Sequence, residues 1–334
     1  MFASNVIETG EPSASPREAG DKTVPRQIQG ELTSVAGVIE HDGDVHVNGP
    51  VREGAGIRAG GSVIVDGPIE STIHAKGDVT TTAAITNTGR HCIVAGGSVR
   101  SHHINTGIVQ AKGDVVVGAE IISSRINCRG ALDISAGSIV ASHISAVGGV
   151  RCASVGTDSQ NRVTLEIGVD AELGKLYHET WQEIEKRQTH VKRVRTTIEP
   201  LMQNAKRLTN EQKEKATELL YDADTTEAEA NDMLARLTAG YEALMRDGKW
   251  ELHVSTRLAP GVTIRFPGIE TTVRVPMTGP LTITANWQAS RPAILCRMGN
   301  KNEIPMETRP IEDDGIIKLK HALQRRTRPN AQAA

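Results

Sequence analysis

The chain has 334 residues, a formal net charge of −2 and only eight aromatic residues. No Phe, Tyr or Trp occurs between Phe2 and Tyr177, a stretch of 174 residues. Such a stretch lacks the ring burial on which ordinary cores rest, and near-neutral charge gives no global nucleic-acid or membrane signature.

The N-terminus carries no basic region followed by an apolar run, so no secretory signal is read. Residues 1–36, with Pro12, Pro16 and Pro25, read as a disordered tail. Ile134 to Val150 is free of charge, but its Ser, His and Gly content and lack of Leu argue against a membrane span. Cys92, Cys128, Cys152 and Cys296 show no metal-like spacing, which points to a reducing compartment and to no structural metal.

A seven-residue phrase recurs through the ring-free region. It reads Ile57-Arg-Ala-Gly-Gly-Ser-Val63, Ile73-His-Ala-Lys-Gly-Asp-Val79, Ile93-Val-Ala-Gly-Gly-Ser-Val99 and Val109-Gln-Ala-Lys-Gly-Asp-Val115, with Ile39, Ile126 and Ile144 opening three further copies. The starts advance by 18, 16, 20, 16, 17 and 18 residues. Within each copy Val or Ile recurs about every six residues, which makes three short strands per turn and predicts a β-helix over residues 37–169. Val and Ile should stack inward, and Ala59, Ala75, Ala95, Ala111, Cys128 and Ala146 should form a small-residue column. Gly43, Gly61, Gly77, Gly97, Gly113, Gly130 and Gly148 mark one corner, where the chain needs unusual dihedrals or close approach. Spacing alone does not fix the handedness. Cys128 and Cys152 read as small buried hydrophobes rather than nucleophiles, because no His and acid partners accompany them.

The period changes near Ala171. Ile184, Val191, Ile198 and Ala205 alternate with Val194, Leu201 and Leu208 in a heptad seam, which Thr180 and Arg187 extend upstream. Thr209-Asn-Glu-Gln212 is a capping box that opens a second arm. Its seam runs through Ala216, Leu220, Ala223, Ala230, Leu234, Leu237, Tyr241 and Leu244, and Gly248 is a suitable stop. Arms of equal length predict an antiparallel coiled-coil hairpin over residues 170–248, with a kink or break at Pro200. Arg187 and the Lys192-Arg193 pair are expected beside the acidic stretch Glu227 to Asp232. Lys186, Arg187, His190, Lys192, Arg193 and Arg195 form a basic run. No aromatic residue interleaves with it, so a solvated helix face outweighs a nucleic-acid contact.

Strand chemistry returns in residues 249–298, as in Val262-Thr-Ile-Arg-Phe266 and Leu281-Thr-Ile-Thr284. This segment should complete or cap the β-helix, leaving residues 299–334 as a C-terminal tail. A bare β-helix end is an edge that invites other chains.

A β-helix with such corners, a coiled-coil hairpin and a β segment opening Leu258-Ala-Pro-Gly-Val262 resembles the bacterial flagellar assembly protein A (FapA) family. Val155-Gly-Thr157 followed by Val163-Thr-Leu-Glu-Ile-Gly168 is similar to that family as well. The resemblance implies a mainly β fold with an α insertion: a right-handed single-stranded β-helix carrying the hairpin. It implies a cytoplasmic, non-enzymatic scaffold in flagellar assembly or its regulation, with protein partners, no cofactor and no catalytic or metal residues. The family typically carries a sizeable further N-terminal domain, which residues 1–36 are too few and too polar to supply. Two other classes compete. A bactofilin-like or MinC-like β-helix protein would polymerise or mark a cell site; the β-helix ends and the coiled coil are in any case the two surfaces through which a homo-oligomer could form. A hexapeptide-type acyltransferase or carbonic anhydrase relative would use His74, His102, His103 or His143, but the small-residue corner here recurs once per rung rather than every six residues. No Walker, HExxH or GxSxG motif is present.

Overall fold

The computed structural model describes residues 24–86, 92–158, 162–169, 171–203, 208–247, 250–287 and 291–311. Short β-branched segments stack in parallel along two sheets. The first begins with β1 (Arg26–Gln29) and continues through Val45–Asn48, Val63–Val65, Val79–Thr81 and five longer strands to Glu251–Leu258. The second begins with β2 (Val38–His41) and runs through eight further parallel strands, the last being Thr263–Phe266. A third face starts as single bridges, Leu32 to Val51, Val51 to Ile69 and Ile69 to Ile85. From Val99–Asn105 onward it is the bent continuation of the first face, with a register shift between Ser101 and His103.

In-register pairing converts the repeat into columns. Val45, Val63, Val79, Val99 and Val115 lie one above another on the first face. Ile57, Ile73, Ile93, Val109, Ile126 and Ile144 do so on the second. Ile85, Ile104, Ile121 and Ile139 form the third. All of these side chains are buried, and together they fill the bore. The small-residue column also exists: Ala59, Ala75, Ala95, Ala111, Cys128 and Ala146 pair in sequence. Stacked branched side chains at strand spacing exclude water without rings.

The corner after the third face is left-handed at three successive rungs. Thr106, Ser123 and Ala141 have φ of 53°, 49° and 49°, a region that side chains with a Cβ seldom occupy. A serine ladder holds it. Ser124 Oγ accepts from Gly107 N and donates to Ile122 O (3.0 and 2.7 Å), and Ser142 Oγ accepts from Ser124 N and donates to Val140 O (3.0 and 2.7 Å).

After Thr164–Ile167 the chain leaves the solenoid as α1 (Ala171–Gln203) and α2 (Asn210–Asp247), then returns as Glu251–Leu258. That strand lies parallel on Val150–Val155, with Val150 opposite Leu252. The two helices are therefore an insertion within the solenoid. Their buried residues form a cluster separate from the bore.

Both expected tails are shorter than the composition suggests. β1 falls inside residues 1–36, where it pairs with Val45–Asn48, and Leu32 is buried. Gln and Thr disguise this first rung as polar, because half of each strand faces out. At the other end the chain reverses direction, and antiparallel strands cover the last rung. Glu303–Pro305 and Arg309–Pro310 extend this cover beyond residue 298. Thr308 Oγ1 accepts from Ile294 N at 3.0 Å, and Arg274 pairs with Glu307 at 2.8 Å.

Glycine substitutions separate tight positions from open ones. A Cβ on Gly130 would lie 2.7 Å from both Asp114 N and Gly113 C, which are backbone atoms in the rung below. Gly130→Ala should lower stability by about 1–3 kcal/mol. Gly174, on α1, has nothing within 4 Å of such an atom. Gly174→Ala should be neutral or stabilise by up to about 1 kcal/mol. Thermal melts of both variants check the contrast.

Candidate functional site

Three features could carry function: the glycine corner, the outward-facing titratable residues and the helical arm. At the corner, the N–H of Gly61 donates to Gly43 O at 3.0 Å, Gly77 to Gly61 at 2.9 Å and Gly97 to Gly77 at 3.0 Å. Gly113, Gly130 and Gly148 continue the ladder at 2.8, 3.1 and 2.9 Å. None of these glycines has a positive φ, so close approach, not dihedral freedom, requires them. The Asp or Ser after each glycine from Gly43 to Gly113 makes a second ladder. Asp44 Oδ1 accepts from Ser62 N (2.7 Å), Ser62 Oγ from Asp78 N (3.1 Å) and Asp78 Oδ1 from Ser98 N (2.7 Å). Ser98 Oγ then accepts from Asp114 N (3.2 Å) and Asp114 Oδ1 from Ala131 N (2.8 Å). Asp and Ser alternate, so carboxylates are never on adjacent rungs. The Ser or Asp after Gly43, Gly61, Gly77, Gly97 and Gly113 was visible in the repeat as its signal. The corner is a structural device, since its polar groups are spent on the backbone.

The four histidines are not gathered. His74 and His143 lie four strands apart in the second sheet, about 19 Å at ordinary strand spacing. His102 and His103 sit on the first sheet with rings 4.4 Å apart, edge to face. His143 Nε2 lies 3.4 Å from Glu166, which also accepts from Arg265 at 3.1 Å. Arg265 in turn donates to Glu270 at 2.9 Å. This network staples the last parallel rungs to the first reversed strand. Burial pushes the Glu166 carboxyl upward, but His143 and Arg265 outweigh it and hold the group below its usual value. Burial pushes the Cys128 and Cys152 thiols up to about 12, with Asp114 adding to the effect on Cys128. Burial also raises Cys92 and Cys296. A thiol held protonated is a poor nucleophile and a poor metal ligand.

The helical arm is built by a seam and charge pairs. Thr209 N donates to Gln212 Oε1 at 2.9 Å and Gln212 N to Thr209 Oγ1 at 3.3 Å, a closed capping box. Ile184, Val191, Leu234 and Leu237 are buried, and Val194, Ile198 and Leu220 half-buried. Leu201 is 48 % exposed and does not belong to the seam. It follows Pro200, through which α1 continues to Gln203 instead of breaking. The side chains of Tyr241 and Leu244, and Gly248, lie outside the described residues. Tyr177 and Trp181 are buried at the arm's base and were missed, although Tyr177, Ile184, Val191 and Ile198 share one spacing of seven. Gly240 makes room for Tyr177, whose Oη stands 2.7 Å from where a Cβ would be.

The arm joins the solenoid through Gly168, with φ +74°, and a Cβ there would fall on the Trp250 indole. Trp250 packs edge-on against Trp287, centroids 6.4 Å apart. Across the arm Arg187 pairs with Glu229, and within α1 it pairs with Glu183 at 2.9 Å. Arg195 reaches Asp224 at 2.7 Å and Glu227 at 2.5 Å. The cross-arm partners are therefore Arg187 and Arg195. Lys192 and Arg193 are exposed, not paired with the acidic stretch as expected. Among the described residues no helix is long and apolar enough to cross a membrane.

A parallel β-solenoid interrupted near its end by an antiparallel two-helix arm defines a narrow class of protein. The chain belongs to one family within it: the model of the Flagellar Assembly Protein A beta solenoid domain matches residues 26–289. No curated protein matches the chain, and no solved structure does.

Two outcomes follow for this region. Reversing Glu227 and Glu229 to Lys should lower the melting temperature of the arm, followed by helical circular dichroism, and spare the solenoid transition. The Glu166 contribution to stability is complete above the ordinary carboxylate pKa of about 4.3 and is lost as pH falls through the depressed folded value. Glu166→Gln should therefore lower the melting temperature at neutral pH and flatten its fall on acidification.

Proposed function

We infer that the chain is a non-enzymatic scaffold of flagellar assembly or its regulation, and that it works through protein–protein contacts in the cytoplasm. Membership of the flagellar assembly family supports the process. The observation that carries the mode of action is the arm. Its helices have 33 and 38 residues, and the longer spans about 57 Å at helical rise. It is held by its own buried cluster rather than by the bore. Its internal pairs consume Arg187 and Arg195, whereas Lys186, Lys192 and Arg193 are exposed. An arm standing on a regular rod presents a partner with exposed basic side chains that its own internal pairs leave unused. The raised thiols and the scattered histidines favour this reading over nucleophilic or metal chemistry.

Deleting the coding sequence in its flagellated host should reduce flagellation and swimming. The full chain should restore both, and a chain lacking residues 170–249 should restore neither while retaining a cooperative β-type melt. Normal motility in the deletion strain would sink the proposal. Full rescue by the armless chain would remove the arm from it.

A further inference from the structure

The two ends of the solenoid are finished differently. Antiparallel strands lie across the C-terminal end, whereas among the described residues β1 and β2 are the terminal strands of their sheets at the N-terminal end. A parallel edge around an apolar mouth is a template for another chain. The best-matched occupant is a second copy, because its own N-terminal rung has the same width and the same free edge. Apolar material for such a contact is present: Val24, Val35 and Val38 are 80, 95 and 55 % exposed. Ile28 and Ile39 are only partly covered.

Two inward positions of this rung break the columns they end. Register places Arg26 over Val45, at the head of the column that continues as Val63, Val79, Val99 and Val115. It places His41 over Ala59, at the head of the small-residue column. The rungs behind carry no charge at either position. Arg26 turns outward, and its Nη1 makes a long 3.5 Å hydrogen bond to Glu40 O. The carbonyls of Gly37 and His41 already accept from Gly56 and Gly60 in the next rung. Alternation along the strand therefore leaves the Glu40 carbonyl on the free edge. His41 Nε2 donates to Val24 O at 3.0 Å and ties the end of β2 to the chain entering β1. A second copy docking here would bury a guanidinium where its own columns offer valine, and would compete with Arg26 for an edge carbonyl.

We propose that Arg26 and His41 are end-blocks, which keep a second copy from stacking on the N-terminal rung and hold the protein as a discrete species. With the C-terminal end covered by antiparallel strands, the head-to-head pairing that a bare N-terminal rung would allow is then suppressed by two side chains. Sedimentation of the full chain over a range of concentrations tests this. Arg26→Val with His41→Ala restores the residues that the next rung already carries, and its fold is checked by circular dichroism. The weight-average mass of this double variant should rise with concentration toward twice that of the wild type. Adding Ile28→Lys to it should reverse the association. Should the double variant not fold, Arg26→Val alone is measured in the same way, with the same expectation. A folded variant that sediments like the wild type at every concentration overturns the proposal. So does a wild type whose mass rises with concentration until Ile28→Lys abolishes the rise.

Discussion

Everything in this molecule depends on in-register parallel stacking of side chains at one strand spacing. A residue in the bore touches its counterparts one rung above and below, so the width of the bore is set by the column and not by any one residue. Ile126 has Val109 on one side and Ile144 on the other. The corner glycines follow from the same constraint. Their ladder needs consecutive rungs to approach within hydrogen-bond distance where the chain turns, and a Cβ would occupy that gap. Stability in such an array is a sum of nearest-neighbour terms, so every rung must be acceptable to both neighbours. That requirement keeps the repeat legible for over a hundred residues.

The constraint also explains where the rings are. Phe266 and Trp250 are buried at the C-terminal end, where antiparallel strands replace the regular columns, and Tyr177 and Trp181 pack at the base of the arm. Rings fill the irregular volumes that stacked valines cannot. The same region holds the Glu166, Arg265 and Glu270 network, which ties parallel rungs to the reversed strand. One end of the rod therefore concentrates aromatic packing, charge networks and the arm.

Most of the fold was legible because its period is a direct consequence of geometry. A column of Ala59, Ala75, Ala95 and Ala111 could be read as a column from spacing alone. The capping box at Thr209 and Gln212 was equally local and equally readable. Failures fell where a pattern ran out or where partners are distant in sequence. Arg26 and Gln27 hid the first rung behind polar chemistry. Leu201 matched the heptad yet faces solvent, because the seam fades toward the arm's tip. Arg195 found Asp224 and Glu227, rather than Lys192 and Arg193 finding Glu227 to Asp232, since the rotation of one helix against the other decides which basic residue faces across. The functional surfaces were less legible than the fold, because an outward side chain leaves no periodic trace.

The position of the arm has a consequence for how the chain reaches its folded state. Rungs up to Val150–Val155 pair with segments 16 to 20 residues away, as Val99 does with Val79 and Val115. Their loop-closure cost is small, and the solenoid can lengthen turn by turn. The next addition to the first sheet is different, for Leu252 must find Val150 across 102 residues of chain. A flexible segment of that length would make this the slowest closure in the molecule. Helices α1 and α2 form through contacts local to a hairpin, and once zipped together they return the chain to within reach of the place it left. The arm thus converts the longest closure into a short one. The reversed strands and their aromatic core, which follow Leu252, wait upon it.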